Sequence, residues 1–483
     1  MTSPFRLSLA MPLLAVLMWF SACSGDNARV LDRGLIDHGS LEGMGLPTGL
    51  ASVRLQSAST RLQASDAAAG DVFGAAVALS RDGNTLAVGA DIHSGTVPSA
   101  GAVYVYHRTL HGWREMARLR APVLSSGSGF GYSLTLSDNG SRLAVGAPFE
   151  SHPNAGETLA GDQGVVYVFE RGDRGWSQPS RLVASNAGSY DWFGMSLSFS
   201  GSADTLAVGA HRHDTVEPQE RRSDTGAVYV FARTGEGWSE QAVLTSAQAP
   251  EGDQLGKSVA LSVDGLTLAA AADASGLGAV HVFRRSGTLW REQAVVTAPN
   301  GVAQNPLGSQ VALSADGTVL AVGASAPRDA DVHQRSAGSA YVFVNEAGQW
   351  RQQARIRAAN PRAEDAFGER ISLSADGRVL AVSAVNQSSA ARVPGGEEAQ
   401  GSALAPGAVH VFSLQGQHWT QTDHVKSVRT LAGDLFGSAL ALSGDGHHLA
   451  VGARLEDGTP GIVGRLLGER LQNSGGVHLY SRS

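Results

Sequence analysis

Most of the chain is written in short runs in which apolar and polar residues alternate, and Gly, Asp, Asn and Ser collect between the runs. Alternation with period two is the pattern of strands with one buried face, and the residues between them are those of tight turns. A second kind of run is continuous and small: Leu86-Ala87-Val88-Gly89-Ala90 and its relatives have no polar face, as expected of a strand covered on both sides. The pattern predicts an all-β chain of many short strands.

The runs recur in a fixed order. Seven segments open on a glycine that follows Phe or Leu: Phe73-Gly74, Phe130-Gly131, Phe193-Gly194, Leu255-Gly256, Leu307-Gly308, Phe367-Gly368 and Phe436-Gly437. Each continues through an alternating strand, a short turn and a Leu-Ala-Val-Gly-Ala-like strand. A variable loop then leads to a third strand of the type Gly101-Ala102-Val103-Tyr104-Val105-Tyr106. In six segments a fourth strand begins near a tryptophan, namely Trp113, Trp176, Trp238, Trp290, Trp350 and Trp419. Successive repeat glycines are 52 to 69 residues apart.

One four-stranded sheet cannot cover both of its faces, but seven packed radially can. The expected fold is therefore a seven-bladed β-propeller over residues 51–483, with blades starting near 73, 130, 193, 255, 307, 367 and 436. The seventh repeat stops at Ser483, after its third strand, while Ser59–Ser65 upstream of the first repeat reads as a surplus fourth strand. Pairing the two closes the ring and leaves no open edge.

Phe-Gly, Leu-Ala-Val-Gly-Ala and Gly-Ala-Val-Tyr-Val-Phe followed by Trp resemble the FG-GAP repeats, related to the integrin α-subunit propeller. The resemblance implies a propeller used for binding at surfaces. Many such repeats hold calcium in an Asp-x-Asp/Asn-x-Asp-Gly loop, because a hard cation needs six or more oxygens. Here the connection shrinks to turns such as Asp82-Gly83, Asp264-Gly265, Asp316-Gly317 and Asp376-Gly377, with one carboxylate each. No cofactor is expected, and calcium sites are expected to be absent.

Composition narrows the partners. The formal charge is −7, and loss of residues 1–22 with their single charge, Arg6, makes it −8, which argues against nucleic acid. The N-terminus reads as an export signal, with an apolar run from Leu7 to Phe20 that is short for a membrane span. Phe20-Ser21-Ala22-Cys23 resembles the bacterial lipobox, with Phe20 where an aliphatic residue is usual. Cys23, the one cysteine of the chain, is the expected lipid attachment, followed by a flexible tether over 23–50. The expected location is the outer membrane, facing the periplasm or the surface, with membrane contact through the lipid only.

Chemistry-bearing residues are few. Asp71, Asp191, Asp253, Asp365 and Asp434 precede the repeat glycine by three residues, with Ser128 and Asn305 in the matching places. They either ring an electronegative mouth or, as is commoner, bind the backbone of the turn entering the strand. His281, His410 and His478 replace the third-strand tyrosine. Candidate binding residues are His211, His213 and Asp214 in one variable loop and Arg465 and Arg470 in another. Arg171-Gly172-Asp173 sits in a hairpin where Gly-Asp is ordinary turn chemistry.

Loops from second to third strand open on the same face as the blade-to-blade connections, and they vary most: 148–163, 211–225, 385–406 and 454–474. Variable loops on a uniform scaffold are where function is expected. The expected role is a non-enzymatic envelope protein that presents these loops to a protein or glycan. The alternatives are a hydrolase or lyase with a pocket on that face, or a structural subunit of an envelope complex.

Overall fold

The computed structural model describes residues 60–152, 161–217, 220–235, 237–246, 249–273, 276–298, 307–325, 337–362, 364–387, 406–427, 433–458 and 471–482. The signal, Cys23, the tether, Asn305, Arg465 and Arg470 lie outside the described residues. The fold is all-β, a ring of seven four-stranded antiparallel sheets, each ordered first to fourth strand from the axis outward. Blade 1 is Ala76–Leu79, Thr85–Ala90, Ala102–Thr109 and Gly112–Leu119. The remaining blades repeat it. Blade 2 splits its fourth strand into Gly175–Trp176 and Ser180–Leu182, on either side of Pro179, which has no N–H to donate.

The N-terminal strand Thr60–Leu62 completes blade 7 by pairing with Gly476–Ser481 in the register Thr60↔Leu479, Arg61↔His478, Leu62↔Val477. Buried Glu456 fastens the closure. One carboxylate oxygen takes Arg61 Nε at 2.7 Å and the other meets His478 Nε2 at 2.6 Å.

The core is seven slabs, one between each pair of adjacent blades. The second strand explains why its sequence is small. Gly89, Gly146, Gly209, Gly323 and Gly452 lie so close to the next blade that a side chain would run into the carbonyl oxygen of the next repeat glycine. The contact of Gly452 with Gly74 carries the same packing across the closure. Farther out the sheets diverge, and the half-buried tryptophans of the fourth strands, such as Trp113, Trp238 and Trp350, fill the space beside these slabs.

Five of the turns from first to second strand share one Ser-x-Asp-Gly design, blade 2 replacing the Asp with Asn139 and blade 3 keeping only the serine, Ser200. In Ser314-Ala315-Asp316-Gly317, the serine hydroxyl donates to Asp316 Oδ1 (2.6 Å) and accepts from Val319 N, while Thr318 N donates to the same carboxylate oxygen. The residue after each serine, joined in blade 1 by Asp82 as the donor, then links its blade to the next. Gly444 N bonds Arg81 O, Asp82 N bonds Asp138 O, and the chain continues through Gly201, Val263, Ala315 and Ala375 back to Gly444. These seven hydrogen bonds of 2.8–3.3 Å form a closed girdle of backbone on the compact face.

Candidate functional site

On the opposite face the first strands frame a cavity of about 430 Å³ at the mouth of the central channel. Its deeper wall is apolar, with Val77, Leu134, Leu197, Val259 and Leu440. Its rim is where the blades differ most. The residue after the repeat glycine is Ala75, Tyr132, Met195, Lys257, Ser309, Glu369 or Ser438. Asp273 and Ser325, just beyond their second strands, also line it.

Many rim side chains are engaged between blades. Ser133, Ser196 and Ser309 donate to the carbonyl oxygens of Gly194, Gly256 and Gly368 at 2.6–2.8 Å. Arg370 Nε donates to Ser438 O, and Ser325 Oγ donates to Glu369. Lys257 is exposed and forms no side-chain ion pair among the described residues. Burial raises the Asp91 carboxyl against the opposing pull of Arg454, and its Oδ1 is buried without a hydrogen-bond partner among the described residues. Burial also raises the Tyr132 phenol, which feels Arg370, Asp91 and Arg454.

From Tyr132 a file of aromatic rings runs outward over blades 2 and 3. Tyr132 meets Phe149 edge to face with centroids 5.5 Å apart, Phe149 meets Trp192 at 5.4 Å, and Trp192 meets His211 at 5.5 Å. The Arg212 guanidinium covers the Trp192 ring at 4.1 Å. Burial, with the charges of Arg212 and Lys257, pushes His211 down to about 4, so it is neutral at physiological pH.

The structure separates the residues that the sequence grouped. His211 belongs to the aromatic file. His213 is buried, bound through Nδ1 to Asp191 (2.9 Å) and facing Tyr229 edge to face. Asp214 accepts a bond from Asp224 N within its own loop. The entry aspartates are buried, and Asp71, Asp191 and Asp365 each accept from the backbone N–H three residues earlier, at 2.7–2.9 Å. Of the third-strand histidines, His410 bonds Gln387, His478 bonds Glu456 and His281 bonds Glu292, the partners lying in loops or on a neighbouring strand. No group of three or more His, Cys, Asp or Glu placed to hold a metal occurs among the described residues.

The family model described as FG-GAP repeat matches residues 57–106, 176–231 and 290–343. The chain carries FG-GAP repeats in these three stretches. The second and third matches begin on a fourth strand, the first just ahead of the closing strand Thr60–Leu62, and each ends within the third strand of the following blade, so the family's unit straddles two blades. No curated protein matches the chain. In FG-GAP terms, the signature residues Phe73, Gly74, Phe130, Gly131, Phe193, Gly194, Gly256, Gly308, Phe367, Gly368, Phe436 and Gly437 are packing residues. The phenylalanines are fully buried and the glycines sit against the preceding blade. Tyr132, Lys257, Glu369 and Arg370, which follow them at the rim, were not singled out by sequence reasoning. The signal was present: they are the first or second positions after an invariant Gly, where the seven segments stop agreeing.

Proposed function

We propose that this propeller is a non-enzymatic binding protein of the cell envelope. In this reading it is exported, held at the outer membrane by lipid on Cys23, and presents its loop-rich face to a protein or glycan. The fold supports a binding or generic propeller role. The observation that supports the finer reading is the contrast at the channel: seven blades keep one backbone design on the compact face and place different side chains around the cavity on the other. Concave sites with a few convergent polar groups on a fixed frame are the usual form of a ligand site.

Comparing wild type with Cys23→Ala in cells tests the anchor and the orientation. The reading expects membrane-bound, protease-accessible wild type and released mutant; wild type that is already soluble overturns it. A hydrolase or lyase is the competing reading, and the feature in its favour is the Asp91 carboxyl, raised by burial and close enough to act electrostatically on Tyr132 of the cavity lining. Turnover that disappears in Asp91→Asn while the melting temperature holds would establish catalysis.

A further inference from the structure

The connection entering blade 3 departs from its equivalents. The position three residues before the repeat Phe or Leu has positive φ in each described case, and it is glycine in blades 1, 2, 4 and 7: Gly70 (82°), Gly127 (72°), Gly252 (77°) and Gly433 (89°). Blade 6 has Glu364 there, at φ 70°, and blade 3 has Tyr190, the one aromatic residue at this position in the seven repeats, at φ 68°. A bulky side chain held in this region is strained, and such strain collects at functional sites. The ring gains no core in exchange: Tyr190 is 58% exposed, with its underside against Gly161.

Tyr190 adjoins the aromatic file. Two residues on, Trp192 is half-buried, capped by Arg212, and its indole Nε1 has no hydrogen-bond partner among the described residues. Asp162 and Asp224 flank this corner, both raised by burial, Asp224 with the opposing charge of Arg212 nearby. We infer that the corner between blades 2 and 3, centred on Tyr190 and Trp192, binds a glycan chain whose end reaches the channel mouth. This rests on the binding reading above and names its ligand class.

The chemistry favours a sugar over a protein surface. A pyranose offers an apolar C–H face and a rim of hydroxyls, which match exposed aromatic surface bordered by carboxylate and guanidinium groups. A protein hot spot inserts an anchor into a dry, desolvated pocket. Here the cavity at the inner end of the file has a rim of hydroxyls and charged groups.

The test screens the full chain carrying Cys23→Ala against a glycan array and a displayed peptide library, beside Tyr190→Gly and Tyr190→Trp. Tyr190→Gly restores the residue used in four sister blades, so its melting temperature is expected to stay level or rise. Glycan binding is expected to fall at least tenfold in Tyr190→Gly and to persist in Tyr190→Trp. Full glycan binding by Tyr190→Gly overturns the inference. Peptide ligands without glycan ligands overturn it too, while leaving the binding reading in place. No ligand from either screen counts against both.

Discussion

The two faces of the ring spend their polar groups differently. On the compact face the carboxylates of Asp82, Asp316 and Asp445 are held low despite burial, because a serine hydroxyl and backbone N–H groups of their own turns point at them; Asp445 reaches about 2. On the loop-rich face Asp91, Asp162 and Asp224 are raised, with burial the leading cause. A carboxylate satisfied within its turn is part of the frame. A carboxylate desolvated without such compensation stores free energy that a ligand can release. The frame is thus written in backbone geometry, and the differences between blades appear as side chains at the other face.

The largest expected effect comes from breaking the frame. Gly209→Val would force a side chain onto the Gly256 carbonyl of the next blade. The expected cost is about 3 kcal/mol or more by chemical denaturation, because the blades cannot separate without opening the ring.

Acid should loosen the faces unequally. Under the loop-rich face the His410 and His424 rings lie tilted by 32° with centroids 4.6 Å apart; burial and their neighbouring charges push them down to about 3 and about 4. Their folded values lie below the unfolded value near 6.5, so their contribution is complete above that pH and is lost as pH falls toward the folded values. At pH 5 the loss is roughly 2 kcal/mol for each histidine if they titrate independently. Melting temperature measured from pH 7 to 4 should fall, and His424→Gln should flatten the curve, while the Asp445 carboxylate, held at about 2, stays ionised throughout.

Smaller changes sharpen the contrast. Ser314→Ala removes the hydroxyl that joins Asp316 to Val319 N and should cost about 1 kcal/mol in the same denaturation experiment. Lys257→Ala at the rim should change stability by less than about 0.5 kcal/mol, since it removes no ion pair among the described residues.

The fold was legible because packing dictates residue type: only Phe or Leu before Gly, and mostly Gly or Ala in the second strand, fit between converging blades. The closing strand was legible from Arg61-Leu62 for the same reason. The girdle was not, because backbone atoms form it, and its positions carry Arg81, Val263 and Ala375 alike. At the loop-rich face the variable loop 211–225 was legible by length, but its residues divide, His211 facing the aromatic file and His213 facing inward to Asp191. Tyr190 left a mark in the sequence as the one aromatic in a column that is glycine in four repeats and Gln304 or Glu364 in two others. Its meaning needed the positive φ.

Amide hydrogen exchange on the intact chain tests most directly the claim that one face is a locked frame and the other a working surface. The amides of Gly201, Val263, Ala315, Ala375 and Gly444 should exchange only through global unfolding, while those of Asp162, Tyr190 and Trp192 exchange orders of magnitude faster through local opening. Girdle amides that exchange as fast as the loop-face amides would contradict the account.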